Sequence, residues 1–237
     1  MAARYLVSGG TGNWNSTTNW SATDGGASGA SFPVNGDAVF FTTNSGATNI
    51  TVNAVSACTS IAASGTYTGT LTFNSTLTVA GAVTFIAGMT IAGTSDLICN
   101  TTATLTSGGK TLTGGLRLSG TATFTLADNW YNIGLLTIGA STLSTTVNGG
   151  TIYASGGYTV GGTTGNNLGT SRVIMTGGTL QMSAKTTGTN QLEILIDAGT
   201  STVTIGTLAQ TVNPIIHKSG ILAGDILGFP KAKAYIN

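Results

Sequence analysis

Short runs of alternating hydrophobic and polar residues recur along the chain, and most of them end at a glycine. The units TLTF (Thr70–Phe73), LTVAG (Leu77–Gly81) and TVTIG (Thr202–Gly206) are typical. Alternation with a period of two is the pattern of a β-strand with one buried face. Glycine lets the chain turn at positive φ without a steric cost. The pattern therefore predicts many short strands that are separated by tight corners.

The repeated strand-and-corner unit favours an all-β solenoid over other β folds. No window holds an apolar pattern of helical period for three turns, and glycine interrupts the chain throughout. We expect a right-handed parallel β-helix, in which inward side chains of successive coils stack into an apolar column. The alternative is a β-sandwich or jelly roll, which also contains many short strands. An aromatic content of 7% is low for that alternative, since sandwiches depend on large residues between their sheets.

The pattern divides the chain into three segments. Residues 1–41 are predicted to form an N-terminal cap or docking segment, residues 42–212 the solenoid, and residues 213–237 the last coil and a C-terminal tail. A solenoid needs such ends because its terminal coils expose unpaired backbone and apolar side chains. The first segment contains two of the three tryptophans, in the loop-like stretch GGTGNWNSTTNW.

Large apolar residues at the two ends are the predicted cap and interface. Trp14 and Trp20 would cover the end of the first coil, with Phe32 nearby; the alternative is that they anchor an interface. The tail would contact a neighbouring subunit. The predicted cap and interface residues are Trp14, Trp20, Phe32, Phe229, Tyr235 and Ile236.

Charge is scarce in this chain. Only 6% of the residues are charged and the net charge is +1. There is no basic patch, so nucleic acid is not an expected partner. Scarce charge also removes repulsion between copies, which favours self-association.

Neither a membrane span nor a secretion signal is recognisable, so we expect synthesis in a cytoplasm and no membrane association. Cys58 and Cys99 are the two cysteines. They are expected to be small buried apolar residues; whether they pair is open at this stage.

Catalytic constellations are also lacking, so we expect no enzymatic activity, no catalytic residues, no metal and no cofactor. Glu193 and Asp197 lie four residues apart on one strand, where a solvated face is expected rather than a catalytic dyad. His217 is the single histidine and has no adjacent acid.

One short stretch combines a carboxylate with aromatic rings, which is a combination that can bind sugars. Asp128, Trp130 and Tyr131 are therefore possible glycan contacts. The favoured interpretation is a turn at Asp128 with Trp130 packed on the solenoid wall.

The opening motif carries a resemblance. The pattern GGTGNW followed by NWS, a Gly/Ala/Ser run, Pro33 and Gly36–Asp37 resembles a segment of phage structural proteins and of autotransporter-like bacterial surface proteins. Thr/Gly-rich strands and VNPIIHKSG (Val212–Gly220) extend the resemblance over nearly the whole chain. It implies a right-handed β-helix and a virion component such as a tail fibre, appendage or decoration protein.

The expected function is therefore that of a phage structural protein located in the virion. Its expected partners are other copies of itself, as a homo-oligomer and specifically a trimer, and other virion proteins. The alternative is an adhesin that binds a receptor or a host-surface glycan, on a phage tail or at the bacterial cell surface.

Overall fold

The computed structural model describes residues 1–9, 11–139, 145–161, 169–182, 193–208, 215–223 and 233–236, with side chains up to Gln181. These residues form an all-β fold of parallel coils stacked into a β-solenoid. Two short 3-10 helices, Thr17–Asn19 and Thr43–Ser45, are the helical segments among them.

Three sheets form the walls of the solenoid. Sheet 1 has eight strands: β1 (Ala3–Leu6), β3 (Trp20–Ser21), β4 (Ala38–Phe41), β7 (Ser60–Ala63), β10 (Val83–Thr84), β13 (Ala103–Thr106), β15 (Ala122–Leu126) and β18 (Thr145–Gly149). Sheet 2 has four: β2 (Thr11–Asn13), β5 (Asn49–Val52), β8 (Thr70–Phe73) and β11 (Thr90–Gly93). Sheet 3 has thirteen: β6 (Ser56–Cys58), β9 (Leu77–Val79), β12 (Leu97–Cys99), β14 (Gly115–Leu118), β16 (Trp130–Ile133), β17 (Leu135–Ile138), β19 (Thr151–Ala154), β20 (Gly157–Val160), β21 (Arg172–Met175), β22 (Gly178–Met182), β23 (Glu193–Leu208), β24 (Ile215–Ala223) and β25 (Lys233–Ile236).

One coil takes one strand from each wall, so β4–β5–β6 is followed by β7–β8–β9 and then by β10–β11–β12. In the next coil an isolated bridge between Thr111 and Tyr131 replaces the second strand. Beyond it, the second wall consists of β16, β19 and β21, which belong to sheet 3. They do so because the 16-residue β23 runs through both the second and third walls, pairs with β21 on one and β22 on the other, and so joins the two walls into one sheet. Strand pairs are parallel throughout the described chain, except for β1 with β3. Parallel ladders confirm the predicted solenoid and contradict the sandwich or jelly-roll alternative, whose strands are antiparallel. The right-handed sense stays a prediction.

The core consists of apolar residues that stack from coil to coil in files parallel to the solenoid axis. On sheet 1, Val39, Ile61 and Val83 are in register with one another, and each is buried. Their spacing follows from a coil that repeats after 22 residues, the separation seen in several hydrogen bonds between coils. Each wall contributes such files, because alternate strand residues point inward.

Glycine occupies a corner where successive coils approach closely. A Cβ on Gly134 would overlap the carbonyl oxygen of Thr113, and one on Gly156 would overlap that of Gly134. Neither residue has a positive φ, so the constraint here is space rather than backbone conformation. This explains one set of glycines that punctuate the strands.

The N-terminal segment is part of the coil stack. Strand β1 pairs in parallel with β4, and β2 pairs in parallel with β5. Strand β3 turns back antiparallel against β1, with Leu6 opposite Trp20, and occupies the edge of sheet 1. At the other end, β25 pairs in parallel with β24, so residues 233–236 form a further solenoid strand.

Within the described residues, no helix is long and apolar enough to cross a membrane.

Candidate functional site: the capped end and the tyrosine face

An aromatic cluster lies at the N-terminal end of the solenoid. The rings of Trp14 and Trp20 meet edge to face with centroids 5.1 Å apart, and Phe41 lies 6.5 Å from Trp20. Tyr67 of the next coil stacks on Phe41 at 5.2 Å. All four side chains are 0% exposed. The cluster therefore joins the cap to the first two complete coils.

The polar atoms of this cluster are satisfied inside the protein. Trp20 Nε1 donates to the carbonyl oxygen of Trp14 at 2.7 Å, and Trp14 Nε1 donates to that of Pro33 at 3.3 Å. The Tyr67 hydroxyl donates to the carbonyl oxygen of Thr48 at 2.8 Å. Because both indoles are buried within the chain, they are not exposed for contact with a partner, as the interface-anchor alternative requires.

An ion pair fixes the loop that follows the tryptophans. Arg4 Nε lies 3.5 Å from Asp37 Oδ2, and both side chains are largely buried. The Asp37 carboxylate also accepts hydrogen bonds from the backbone N–H groups of Ala2 and Val34, each at 3.3 Å. Arg4 donates from its second terminal nitrogen to Ser31 Oγ at 2.6 Å. The start of β1 and the loop before β4 are thereby held together.

The remaining predicted interface residues are not in this cluster. Phe32 is 38% exposed on the loop beside the cap. Phe229 lies outside the described residues. Tyr235 and Ile236 lie on β25 and their side chains are outside the described part of the chain.

The Asp128 carboxylate is hydrogen-bonded within the protein. Its two carboxylate oxygens accept hydrogen bonds from the backbone N–H groups of Ser107, at 2.7 Å, and Gly108, at 2.8 Å. The Ser107 hydroxyl donates to the carbonyl oxygen of Asn129 at 2.6 Å. These bonds tie the corner of one coil to the corner of the next.

Trp130 cannot serve as a platform for a sugar ring. It is 1% exposed and packs toward Phe85, with ring centroids 6.1 Å apart. Its Nε1 has no hydrogen-bond partner among the described residues. The prediction of Trp130 as a glycan contact is therefore wrong, because the indole is a core residue.

Tyr131, in contrast, lies on the outside and is 38% exposed. Its ring stacks on that of Tyr153 in the next coil, with centroids 5.1 Å apart and planes 12° apart. Asn129 Nδ2 donates to the Tyr131 hydroxyl at 3.3 Å. Ile174 is in register with Tyr153 and is half-buried. We call Tyr131, Tyr153 and Ile174 the tyrosine face.

The tyrosine face replaces a polar file. The outward positions before it on the second wall include the polar residues Asn49, Thr70 and Thr90; Thr70 is in register with Thr90 and donates its backbone N–H to Asn49 Oδ1. After it, the register places Leu195 opposite Ile174 and His217 opposite Leu195. The first aromatic side chain in this part of the wall, Tyr131, follows the bridge that it forms with Thr111.

Sequence reasoning missed Tyr153, Ile174 and the Arg4–Asp37 pair. A signal existed for Tyr153, because it follows Tyr131 by the 22-residue separation seen between neighbouring coils. Nothing in the local sequence around Arg4 indicates that it pairs with an acid on another segment.

The other acids with described side chains also have partners within the chain. Asp24 accepts a hydrogen bond from the Thr42 hydroxyl at 2.5 Å, and Asp96 lies 3.8 Å from Arg117. The side chains of Glu193 and Asp197 are outside the described part; their backbones pair with Ile215 and Ser219 of β24. Among the residues described, no three His, Cys, Asp or Glu side chains are grouped as metal ligands.

The two cysteines are free thiols. Cys58 and Cys99 occupy one inward file, with Val79 in register between them. Two strand spacings place their Cα atoms about 10 Å apart, beyond the reach of a disulfide. Burial raises the pKa of both thiols, and for Cys99 the pKa rises to about 12.

Comparisons of the chain with models of known families, with curated proteins and with solved structures found no match.

Proposed function

We propose that this chain is a non-enzymatic structural component of a phage virion, a fibre, appendage or decoration protein that assembles by self-association of rigid β-solenoids. The observation that carries the proposal is the stack of parallel coils with a buried aromatic cluster at its N-terminal end. The virion location is supported by the resemblance of the opening motif; the alternative location is a bacterial cell surface.

The coil stack supports a mechanical role. Every coil is hydrogen-bonded to its neighbours along its walls, and buried files such as Leu77, Leu97 and Leu116 run through it without interruption. Interiors packed in this way resist deformation. A solenoid of this kind would keep the two protein surfaces at its ends at a fixed distance from each other.

The N-terminal segment covers one of the three sheet edges at its end of the solenoid, and β2 and β6 are the terminal strands of the other two sheets there. Strand β3 occupies the edge of sheet 1 with an antiparallel segment of only two residues. A second copy therefore finds no free parallel edge at that position, and such coverage is how natural sheets avoid edge-to-edge pairing. The side walls remain accessible.

The tyrosine face is the wall position best suited to a second copy. It combines two stacked rings with an apolar neighbour, and a chain with a net charge of +1 carries little repulsion between copies. Tyrosine is enriched at protein interfaces because it supplies a large apolar area and a polar tip. The trimer remains the proposed oligomer.

The roles of the described acids support the absence of enzymatic activity. Asp37 and Asp128 accept hydrogen bonds from backbone N–H groups, and Asp96 lies beside an arginine. Catalysis by paired carboxylates needs two such groups facing a shared substrate position. These acids instead hold coils and loops together.

The test is the molar mass of the purified chain, measured by light scattering over a range of concentrations. We expect a multiple of the 23.6-kDa chain mass. Tyr131→Ser with Tyr153→Ser should shift the mass toward the monomer. The matched control is Tyr5→Ser, because Tyr5 stacks on Phe40 on sheet 1 in a similar outward pair at 4.8 Å. A monomer at every concentration would contradict the proposal.

A glycan-binding adhesin is the second candidate, and the exposed Tyr131 with the adjacent Asn129 amide favours it. An aromatic ring beside an amide can contact a sugar. Binding on a glycan array that is lost in Tyr131→Ala and kept in Tyr5→Ala would support this candidate. Identical array profiles for the two variants would exclude a role for the tyrosine face in binding.

A further inference from the structure

Two Asn–Gly pairs, Asn35–Gly36 and Asn148–Gly149, occur in very different surroundings. Asparagine before glycine can cyclise, because glycine has no side chain to hinder attack by its own nitrogen on the asparagine amide. We propose that Asn35 is a site of spontaneous deamidation and isoaspartate formation in the folded protein, and that Thr170 protects Asn148 from the same reaction.

Asn35 and Gly36 are the central residues of an exposed turn. Asp37 N–H donates to the carbonyl oxygen of Val34 at 3.0 Å, and Gly36 has a φ of 102°. Both central residues are exposed, and a Cβ on Gly36 would have no atom within 4 Å. Among the described residues, neither the Asn35 amide nor the Gly36 N–H makes a hydrogen bond. The reacting groups are therefore free to approach one another.

Asn148 and Gly149 are held in place on β18. Gly149 N–H donates to Thr170 Oγ1 at 2.9 Å, and Asn148 Oδ1 accepts from Thr170 N–H at 3.3 Å. The nitrogen that would attack is thus occupied as a donor, and the amide that it would attack is fixed by the same threonine. The hydrogen bond from the Gly149 N–H must break before cyclisation can occur, and the bond to Oδ1 restricts rotation of the Asn148 side chain.

The reaction needs no reagent other than water. Gly36 N loses its proton and forms a bond to Asn35 Cγ, the Cγ–Nδ2 bond breaks, and the amide nitrogen leaves as ammonia with the added proton. Water then opens the five-membered imide at either carbonyl. One opening gives aspartate, and the other gives isoaspartate, in which the main chain runs through the side-chain carbon.

The product would alter the polar contacts of the cap. The turn leads directly into Asp37, which is paired with Arg4 and accepts from Ala2 and Val34. Isoaspartate lengthens the main chain by one carbon at this turn and adds a carboxylate next to Asp37. Each event removes one unit from the net charge, which changes from +1 to 0.

The experiment follows both sites in one sample. The purified full-length chain is incubated in mildly alkaline buffer, digested and analysed by mass spectrometry, with isoaspartate labelled by a protein isoaspartate methyltransferase. In the folded chain we expect Asn35 to react at least about tenfold faster than Asn148, as expected if opening the Thr170 hydrogen bonds limits the second site. In urea-unfolded chain the two sites should react at similar rates, since both precede glycine.

Two variants separate protection from sequence effects. Thr170→Val removes the Oγ1 acceptor and should accelerate reaction at Asn148 while leaving Asn35 unchanged; Asn35→Gln should abolish the reaction at position 35. Equal rates at both sites of the folded chain, or reaction at Asn35 only after unfolding, would overturn the proposal. An unchanged Asn148 rate in Thr170→Val would overturn the protective role of Thr170.

Discussion

The indole N–H of Trp20 donates a 2.7 Å hydrogen bond to the backbone carbonyl oxygen of Trp14, within a pair of rings that meet edge to face. The two residues that are separated by a loop in the sequence are thus joined through both their side chains and their backbone. This contact holds β3 across the first coil, and it makes the cap an integral part of the core.

Trp20→Phe should destabilise the protein by about 2–4 kcal/mol, because it removes ring volume and leaves a buried carbonyl oxygen without a donor. Trp130→Phe is the matched control. It removes the same ring volume, but Trp130 Nε1 has no partner among the described residues, so the cost should be lower by about 1–3 kcal/mol. Urea unfolding followed by far-ultraviolet circular dichroism measures both. Equal costs would contradict the role assigned to the hydrogen bond.

Gly134→Ala should destabilise the solenoid by about 3 kcal/mol, since the added methyl group overlaps the Thr113 carbonyl oxygen of the preceding coil. Gly109→Ala is the comparison: Gly109 has a φ of 72° and open space around it, and should cost about 1–2 kcal/mol. Thermal and urea denaturation would rank the two variants. A smaller cost at Gly134 than at Gly109 would show that the coils are not packed at this corner as described.

Asp128→Ala should cost about 2–3 kcal/mol, because it leaves the N–H groups of Ser107 and Gly108 without their acceptor. Asp128→Asn retains one side-chain oxygen, so its cost should be about half as large. The measurement is again the free energy of unfolding. If both variants kept the stability of the unmodified chain, the assigned structural role of Asp128 would be wrong.

Stability should decrease in alkaline solution. Burial raises the pKa of Cys58, with smaller effects of Cys99 and Asp37, and burial raises the pKa of Cys99 to about 12, from an ordinary value of 9.0. The folded chain therefore keeps its thiol protons where the unfolded chain releases them. The stabilisation is complete below pH 9.0 and is lost as the pH rises toward the folded-state pKa, by about 1.4 kcal/mol per pH unit and thiol.

Urea midpoints between about pH 8 and pH 10 test this dependence; tyrosines of the unfolded chain begin to titrate at the upper end of this range, and they do so in both proteins compared. Cys58→Ala with Cys99→Ala is the control, and its midpoint should fall less steeply with pH. A thiol titration at neutral pH should find both thiols only after unfolding. Parallel pH dependences for the two proteins would contradict the assignment.

The solenoid itself was predictable from the sequence because its physical signal is repetitive. Strands such as Thr70–Phe73 alternate in burial as their residues alternate in hydrophobicity. Each coil buries one face of its short strands and turns at corners in the same way. A wrongly predicted strand in one coil therefore does not change the predicted fold.

The sites were less predictable because they depend on single positions. In the stretch from Trp130 to Ile133 two aromatic residues are adjacent, and alternation alone does not tell which of them points inward. A bulge interrupts the register there, and Asn132 adopts a φ of 49°. Consequently Trp130 and Ile133 are both buried, whereas Tyr131 and Asn132 between them are exposed.

The cap was predicted as a cover for the first coil, and its contacts could not be derived from the pattern. Strand β3 has two residues and its partner β1 lies on the other side of a loop. Such a short antiparallel pair carries no periodic signal. The Arg4–Asp37 pair likewise joins residues from two segments whose proximity arises only from the parallel pairing of β1 with β4.

Electron microscopy of the purified chain tests most directly whether the protein is a rigid solenoid that associates with copies of itself. We expect particles in which several short rods lie side by side, and we expect the Tyr131→Ser, Tyr153→Ser double variant to separate them. Single rods at every concentration would contradict self-association, and particles without a rod shape would contradict the solenoid as the functional unit.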